Sequence, residues 1–247
     1  PAFSMYRVAV MAHNVDFTAV PTRADLVHDM EAMVAAVRPQ TRLVLLDNPN
    51  NPTGTYVPRA SLEAFLRAVP EHVIVVLDEA YFEYATAEDY PDSLRMRHLR
   101  ERLVTLRTFS KAYGLAGLRV GYGIGPARIL DYVNRLRAPF NVGVPSQEAG
   151  IAALADTAHL EASVRLNTEQ RRWLTERLEE RGFAVTPSQA NFLLVDFRMS
   201  GAELYDRLLT EGVILRPIGP LPTSLRVTVG TAQQNARFIE ALDRVTR

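Results

Sequence analysis

Two hydrophobic rhythms alternate along the first part of this chain. Short, nearly continuous apolar runs at residues 43–46, 73–77, 103–106 and 120–124 read as strands. The run VIVVL at 73–77 is apolar at every position, as expected of a strand covered on both faces. Between them, residues 24–37 and 61–69 carry apolar residues at helical spacing, and Ser61 with Glu63 supplies a helix start signal. Strands alternating with helices predict an α/β fold with a mostly parallel sheet, whose ligands gather beyond the C-terminal strand ends. From about Pro145 the texture changes. Residues 146–180 read as one long helical stretch with charged faces, closed by Gly182. Strands then follow at 192–195, 213–215 and 225–229, with helices at 201–211 and 232–245. This pattern predicts two domains, 1–150 and a small α+β unit at 151–247, with a soft boundary inside the long helix.

Composition narrows the function classes. The 247 residues are 47% hydrophobic and carry zero formal net charge, with a mean hydropathy of −0.05. These are globular values, without a general electrostatic attraction to nucleic acid or anionic lipid. No apolar run approaches the ~20 residues that span a bilayer. The absence of cysteine removes disulfides, thiol catalysis and Cys-based metal sites. No metal is expected: the five histidines, at 13, 28, 72, 98 and 159, show no ligand spacing and read as bland structural or surface residues. Without a visible signal peptide, the default location is the cytoplasm.

One count changes the picture. Of the 28 basic residues only Lys111 is lysine. Arginine stays protonated and cannot act as an amine nucleophile; lysine can. Biased codon usage with one survivor is the alternative, so the surrounding residues decide. The strand at 43–46 runs into NPNNPTG at 48–54, a tight loop with free side-chain amides, or a plain turn. The strand at 73–77 runs into DEAY at 78–81, whose Asp78 emerges from a buried strand and wants a cation, or else caps a helix. The strand at 103–106 runs into TFSKAYGLAGLRVGY at 108–122, which holds two hydroxyls, Lys111 and Arg119 among glycines. Hydroxyls and an arginine near small residues suit a phosphate. An imine-forming lysine, a phosphate cradle, an acid for a protonated ring nitrogen and an aromatic hydroxyl together match the needs of pyridoxal phosphate.

These motifs, with SQANFLLV and LRVTVG further on, resemble the class I/II aminotransferases, fold-type I enzymes that use pyridoxal 5'-phosphate. The likeness spans nearly the whole chain, and its order and detail are closest to the branch acting on histidinol phosphate. It implies a large cofactor domain, here N-terminally truncated, and a small C-terminal domain. It implies that Lys111 is the Schiff-base lysine and proton shuttle, that Asp78 pairs with the ring nitrogen, and that Asn51 and Tyr81 bond the phenolic oxygen. Thr108, Ser110 and Arg119 would hold the phosphate, and Phe3 would stack on the ring where relatives often carry Tyr or Trp. Arg226 would grip the substrate's anionic end, Arg216 would help with a substrate phosphate, and Asn191 would lie near the substrate.

The implied reaction is reversible transamination between a small-molecule amino donor and a keto acceptor, with histidinol phosphate and 2-oxoglutarate the leading pair. Alternatives are an aromatic amino-acid aminotransferase, a threonine-phosphate decarboxylase, a non-catalytic module on this fold, or an inactive truncated paralogue. Family members begin well before Pro1 and share sites across a homodimer. The expectation is therefore a fragment of a longer product, binding cofactor poorly by itself, with a homodimer as the full assembly.

Overall fold

The computed structural model describes residues 1–246; Arg247, the last residue of the expected small domain, lies outside the described residues. Its first sheet has strands β1 (Leu43–Asp47), β2 (Ile74–Asp78), β3 (Leu103–Thr108) and β4 (Gly121–Ile124) in the order β1-β2-β3-β4. The first three run parallel and β4 is antiparallel to β3. The apolar reading of 73–77 corresponds to β2, where Val75 and Leu77 are fully buried. Helix α3 (Arg59–Ala68) covers this sheet with Leu62, Phe65 and Leu66. It begins two residues before the expected Ser61, because Pro58 with its fixed φ of −62° brings the chain in there.

Two elements differ from the periodicity for local reasons. The helix expected over 24–37 is only α2 (Met30–Ala35). Asp29 caps it by accepting from the Ala32 amide at 2.9 Å, while Asp25 draws the preceding backbone into a turn by accepting from Val27. The turn carries residues 22–28 across the end of β1, and Thr22 bridges to His28. Helix α1 (Ser4–Ala12) was not signalled by the pattern and buries none of its residues.

The expected long helix divides into α5 (Val144–Ala155) and α6 (Thr157–Glu179), after α4 (Ala127–Leu136). Asp156 makes the break by capping α6 through the His159 amide. Beyond it, β5 (Ala184–Val185), β6 (Phe192–Asp196), β7 (Arg216–Ile218) and β8 (Leu221–Thr228) form an antiparallel sheet in the order β5-β6-β8-β7. Helices α7 (Gly201–Thr210) and α8 (Ala232–Val245) pack on it. The strand expected at 213–215 is displaced to 216–218. Gly212 has a φ of +75° and the Val213 amide bonds Leu208, so residues 213–215 serve as the exit from α7. Leu174, Leu178, Leu193, Val195, Leu225 and Leu242 form the centre of this second core. Among the described residues no helix is long and apolar enough to cross a membrane.

Arg100 shows how the first core is closed at its lower end. It is 7% exposed, and its guanidinium donates to the carbonyls of Leu66, Val69, Pro70 and Val73, the exposed polar ends of α3 and the turn after it. Pro70 also accepts from the Val73 amide at 3.1 Å, and the guanidinium supplies the buried donors around the other carbonyls. Arg100→Leu is therefore expected to lower the unfolding free energy by about 2–4 kcal/mol, read from urea melts. A loss below about 1 kcal/mol would mean water reaches these carbonyls.

Candidate active site

The parallel strands of the first sheet end together. β1 delivers Asp47, β2 delivers Asp78 and β3 leads into Thr108, Ser110 and Lys111. Lys111 is half-buried, with Nζ 5.3 Å from the centre of the Tyr81 ring. Burial lowers its pKa, Arg226 and Arg119 lower it further, and Asp78 opposes them. Asp78 accepts from the Tyr6 hydroxyl at 2.7 Å and from the Ala80 amide at 3.1 Å. Burial pushes the Asp78 carboxyl upward, and the neighbouring charge of Asp47 adds to this.

Tyr81 is 5% exposed and stands edge-on to Phe192, with ring centres 5.1 Å apart. Burial raises its hydroxyl to about 12, against the pull of Arg226. Asn51 Nδ2 donates to that hydroxyl at 3.5 Å, and Asn51 Oδ1 accepts from Arg226 at 2.7 Å. The Arg226 guanidinium lies 4.8 Å from the Phe192 ring centre. Its Nε is buried without a hydrogen-bond partner among the described residues. Arg216, exposed on β7, sits directly opposite Arg226 on β8. Two cations in register on neighbouring strands repel one another, which suits an anion between them.

Around Lys111, the Thr108 hydroxyl accepts from the Ser110 amide at 3.1 Å. Arg119 is exposed in a left-handed conformation at φ 51°, and donates to the Ala116 carbonyl. Gly121 allows β4 to pass close by, since a Cβ there would come 2.8 Å from the Arg107 carbonyl. Phe3 starts α1, its amide donating to Asp47 at 3.3 Å and its ring meeting Tyr6 edge-on at 5.5 Å. Asn191 directly precedes Phe192, and its carbonyl accepts from the Val229 amide.

The family model for aminotransferase class I and II matches residues 1–242. The chain belongs to the class I and II aminotransferases. It is 49% identical over 245 residues to a histidinol-phosphate aminotransferase of Moorella thermoacetica, covering 98% of this chain and 63% of that relative. A histidinol-phosphate aminotransferase of Geobacillus sp. is 45% identical, covering 100% of this chain and 68% of the relative. In three dimensions the chain is similar to the histidinol-phosphate aminotransferase of Sinorhizobium meliloti solved with pyridoxal-5'-phosphate, with a TM-score of 0.91 and 30% identity over 99% of this chain and 69% of that one.

In this aminotransferase chain the strand ends also gather residues that the pattern did not single out. Tyr6 holds Asp78. Asp47 is 3% exposed and accepts from the Asn51 amide at 2.9 Å. His28, expected to be bland, lies with Nε2 3.0 Å from Asp47 Oδ1, because the turn before α2 brings it there. Gln189, inside SQAN, joins the two sheets: its amide donates to Gly54, and its Oε1 accepts from Thr86 and Ala87. Gly54, with φ at +77°, has no room for a Cβ against Ser188. Asp47 was legible in principle, since a carboxylate ends an apolar strand there as Asp78 does.

The lowered pKa of Lys111 makes its amine neutral at lower pH than an ordinary lysine. Its modification by an amine-acylating reagent, followed by mass spectrometry, should therefore have a midpoint below that of a peptide lysine. Arg226→Gln removes a repelling charge and should move the midpoint up, whereas Asp78→Asn removes an attraction and should move it down. Shifts of opposite sign would contradict this electrostatic account.

Proposed function

We propose that the full-length protein transfers an amino group between histidinol phosphate and 2-oxoglutarate, using pyridoxal phosphate joined to Lys111. The observation that carries the reading is a single lysine, its pKa lowered by burial and two arginines, with a half-buried carboxylate and an arginine with an unused donor among its neighbours. The residues fit the cofactor: an amine for its aldehyde, a carboxylate for its ring nitrogen, and an amide and a phenol for its ring oxygen. When bound, pyridoxal phosphate supplies an aldehyde that condenses with amines and a protonated ring that draws electrons from the substrate carbon.

The chain's own groups then have distinct tasks. Lys111 Nζ, its pKa lowered by burial and its arginine neighbours, takes and returns the proton of the substrate α-carbon. Asp78 keeps a proton on the ring nitrogen; each pKa unit it adds there is worth about 1.36 kcal/mol. Asn51 and Tyr81 bond the ring oxygen, and Tyr81, with its hydroxyl near 12, does so as a protonated donor at neutral pH. Thr108, Ser110 and Arg119 hold the cofactor phosphate, and Phe3 stacks on the ring. Arg226 and Arg216 bind the anionic end of the substrate, with Asn191 beside it. The opposed pair of arginines and the names of the 43–49% identical relatives support a phosphate-bearing substrate.

On the full-length protein, kcat/KM for histidinol phosphate should exceed that for phenylalanine, and a large preference for phenylalanine would overturn the substrate assignment. Arg226→Gln should lower kcat/KM for histidinol phosphate by about tenfold or more, from the loss of charge-assisted bonds. Lys111→Arg should leave the protein colourless with pyridoxal phosphate, because guanidinium does not condense with the aldehyde.

The full-length protein is also read as a homodimer. The amphipathic α4 buries none of its residues, and Leu136 and Phe140 beyond its end are 88% and 98% exposed. A second copy would cover this face. Sedimentation should give twice the monomer mass, and Leu136→Glu with Phe140→Asp should shift the equilibrium toward monomer; a monomeric parent protein would sink the reading.

A further inference from the structure

Asp47 holds an unusual position. Its side chain is buried and lies beside Asp78 in the sheet, Cα paired with Cα across the parallel strands. Two adjacent carboxylates repel, and neither is bonded to an arginine or lysine among the described residues. Asp47 is met instead by neutral donors and one imidazole. Its Oδ2 accepts the amides of Asn51 at 2.9 Å and Phe3 at 3.3 Å. Its Oδ1 accepts from His28 at 3.0 Å and from Asn50 Nδ2 at 3.4 Å. The same His28 Nε2 lies 2.8 Å from Asn50 Nδ2, so the imidazole sits between the Asp47 carboxylate and the Asn50 amide.

The consequence is geometric. One oxygen carries two arms of the site: the loop that presents Asn51 to Tyr81 and Arg226, and the segment that presents Phe3. Helix α1 buries no residue, so apolar packing does not hold this segment. It is held by polar tethers: the Phe3 amide on Asp47, the Tyr6 hydroxyl on Asp78, and the Pro1 carbonyl on Asn50 Nδ2 at 2.9 Å. His28 supports the tether from the far side, its imidazole also bonded to the Asp47 backbone carbonyl at 3.2 Å. The Asp47 charge also reaches the site, pushing Asp78, Tyr6 and Tyr81 upward.

We propose that Asp47, braced by His28, is a positioning residue of the cofactor site: it sets the Phe3 segment and the Asn51 loop together and places a second negative charge behind Asp78. The inference rests on the reading of Lys111 and Asp78 as a pyridoxal phosphate site. Asp47→Asn keeps the shape and the acceptor toward the two amides but removes the charge. His28→Gln keeps a donor toward Asp47, whereas His28→Phe keeps only bulk.

The test uses full-length protein with pyridoxal phosphate and no substrate. The readouts are the dissociation constant, the pH midpoint of the visible band of the Lys111 adduct, and the melting temperature of the cofactor-free form. Asp47→Asn should weaken binding at least tenfold. It should also lower the band midpoint by about 0.5–1 pH unit, since a nearby negative charge favours the protonated chromophore. His28→Phe should weaken binding severalfold, while His28→Gln stays within about twofold of the parent protein. A structural role alone would lower the melting temperature and leave the band midpoint of the bound fraction unmoved. An unmoved midpoint in Asp47→Asn, or equal binding by the Gln and Phe variants, overturns the proposal. Should Asp47→Asn fail to fold, the two His28 variants decide it. A parent protein with no visible band and no adduct on Lys111 takes down the functional reading and this inference together, and that outcome is separately recognisable.

Discussion

A carboxylate carried to the end of a buried parallel strand must be met by polar groups, because apolar neighbours cannot compensate its charge. In this chain the requirement arises twice, at Asp47 and Asp78, on strands paired residue for residue. Much of the site's architecture follows from how the two are met. Asp47 draws in the backbone of the Asn51 loop, the start of α1 and His28. Asp78 draws in Tyr6 and the Ala80 amide. A third acid in the same region, Glu79, takes the opposite solution. It is 2% exposed and paired through Oε2 with the Arg107 guanidinium at 2.9 Å, which also stacks 3.5 Å from the Phe82 ring centre. Glu79 is thereby paired with a cation in direct contact, whereas Asp78 is bonded to a hydroxyl and an amide and feels the charge of Lys111 without an ion pair to it. That contrast between adjacent residues separates an acid that stabilises the fold from one available to a ligand.

The second constraint is the separation of like charges around Lys111. Arg226 and Arg119 both depress its pKa, and Arg216 depresses that of Arg226 after the larger contribution of burial. A cluster of cations without enough anions is held in place by the rest of the fold: Phe192 under Arg226, Asn51 at its Nη1, and the Ala116 carbonyl at Arg119. An incoming phosphate or carboxylate relieves this repulsion, so binding and activation of the amine are coupled. When an anion neutralises Arg226, Lys111 loses part of what keeps it neutral, and its pKa rises at that moment.

Much of this was legible because strand ends in an α/β sheet are predictable from apolar runs. Asp78, Lys111 and the Asn51 loop each follow such a run, and the runs at 43–46, 73–77 and 103–106 lie within a residue or two of β1, β2 and β3. The rest was hidden for identifiable reasons. His28 lay inside what read as a helix, and only the competition of Asp25 and Asp29 for local backbone amides turns the chain so that it reaches β1. Helix α1 buries nothing, so its apolar residues follow no core-facing pattern. The strand expected at 213–215 failed because Val213 and Leu215 pack into the second core as the exit of α7, where an apolar run needs no ladder.

The two sheets meet at the site through the apolar cluster of Tyr81, Tyr84, Ala112, Ala190 and Phe192 and through directional bonds of the backbone. Gln189 bonds both the loop after β1 and the segment after Tyr81, and Gly54 admits Ser188 where no side chain would fit. Directional bonds of this kind fix the approach of one sheet to the other. Apolar contacts between the same elements would tolerate sliding, because their energy depends on area and hardly on angle. Arg226 arrives from the second sheet and Asn51 from the first, and their 2.7 Å bond needs that fixed approach. A small displacement would break it and cost Arg226 its bond to Asn51, while its buried Nε is already without a partner among the described residues. The SQAN segment therefore matters less for any group it presents than for the register it imposes between Arg226 on the second sheet and the Asn51 loop on the first.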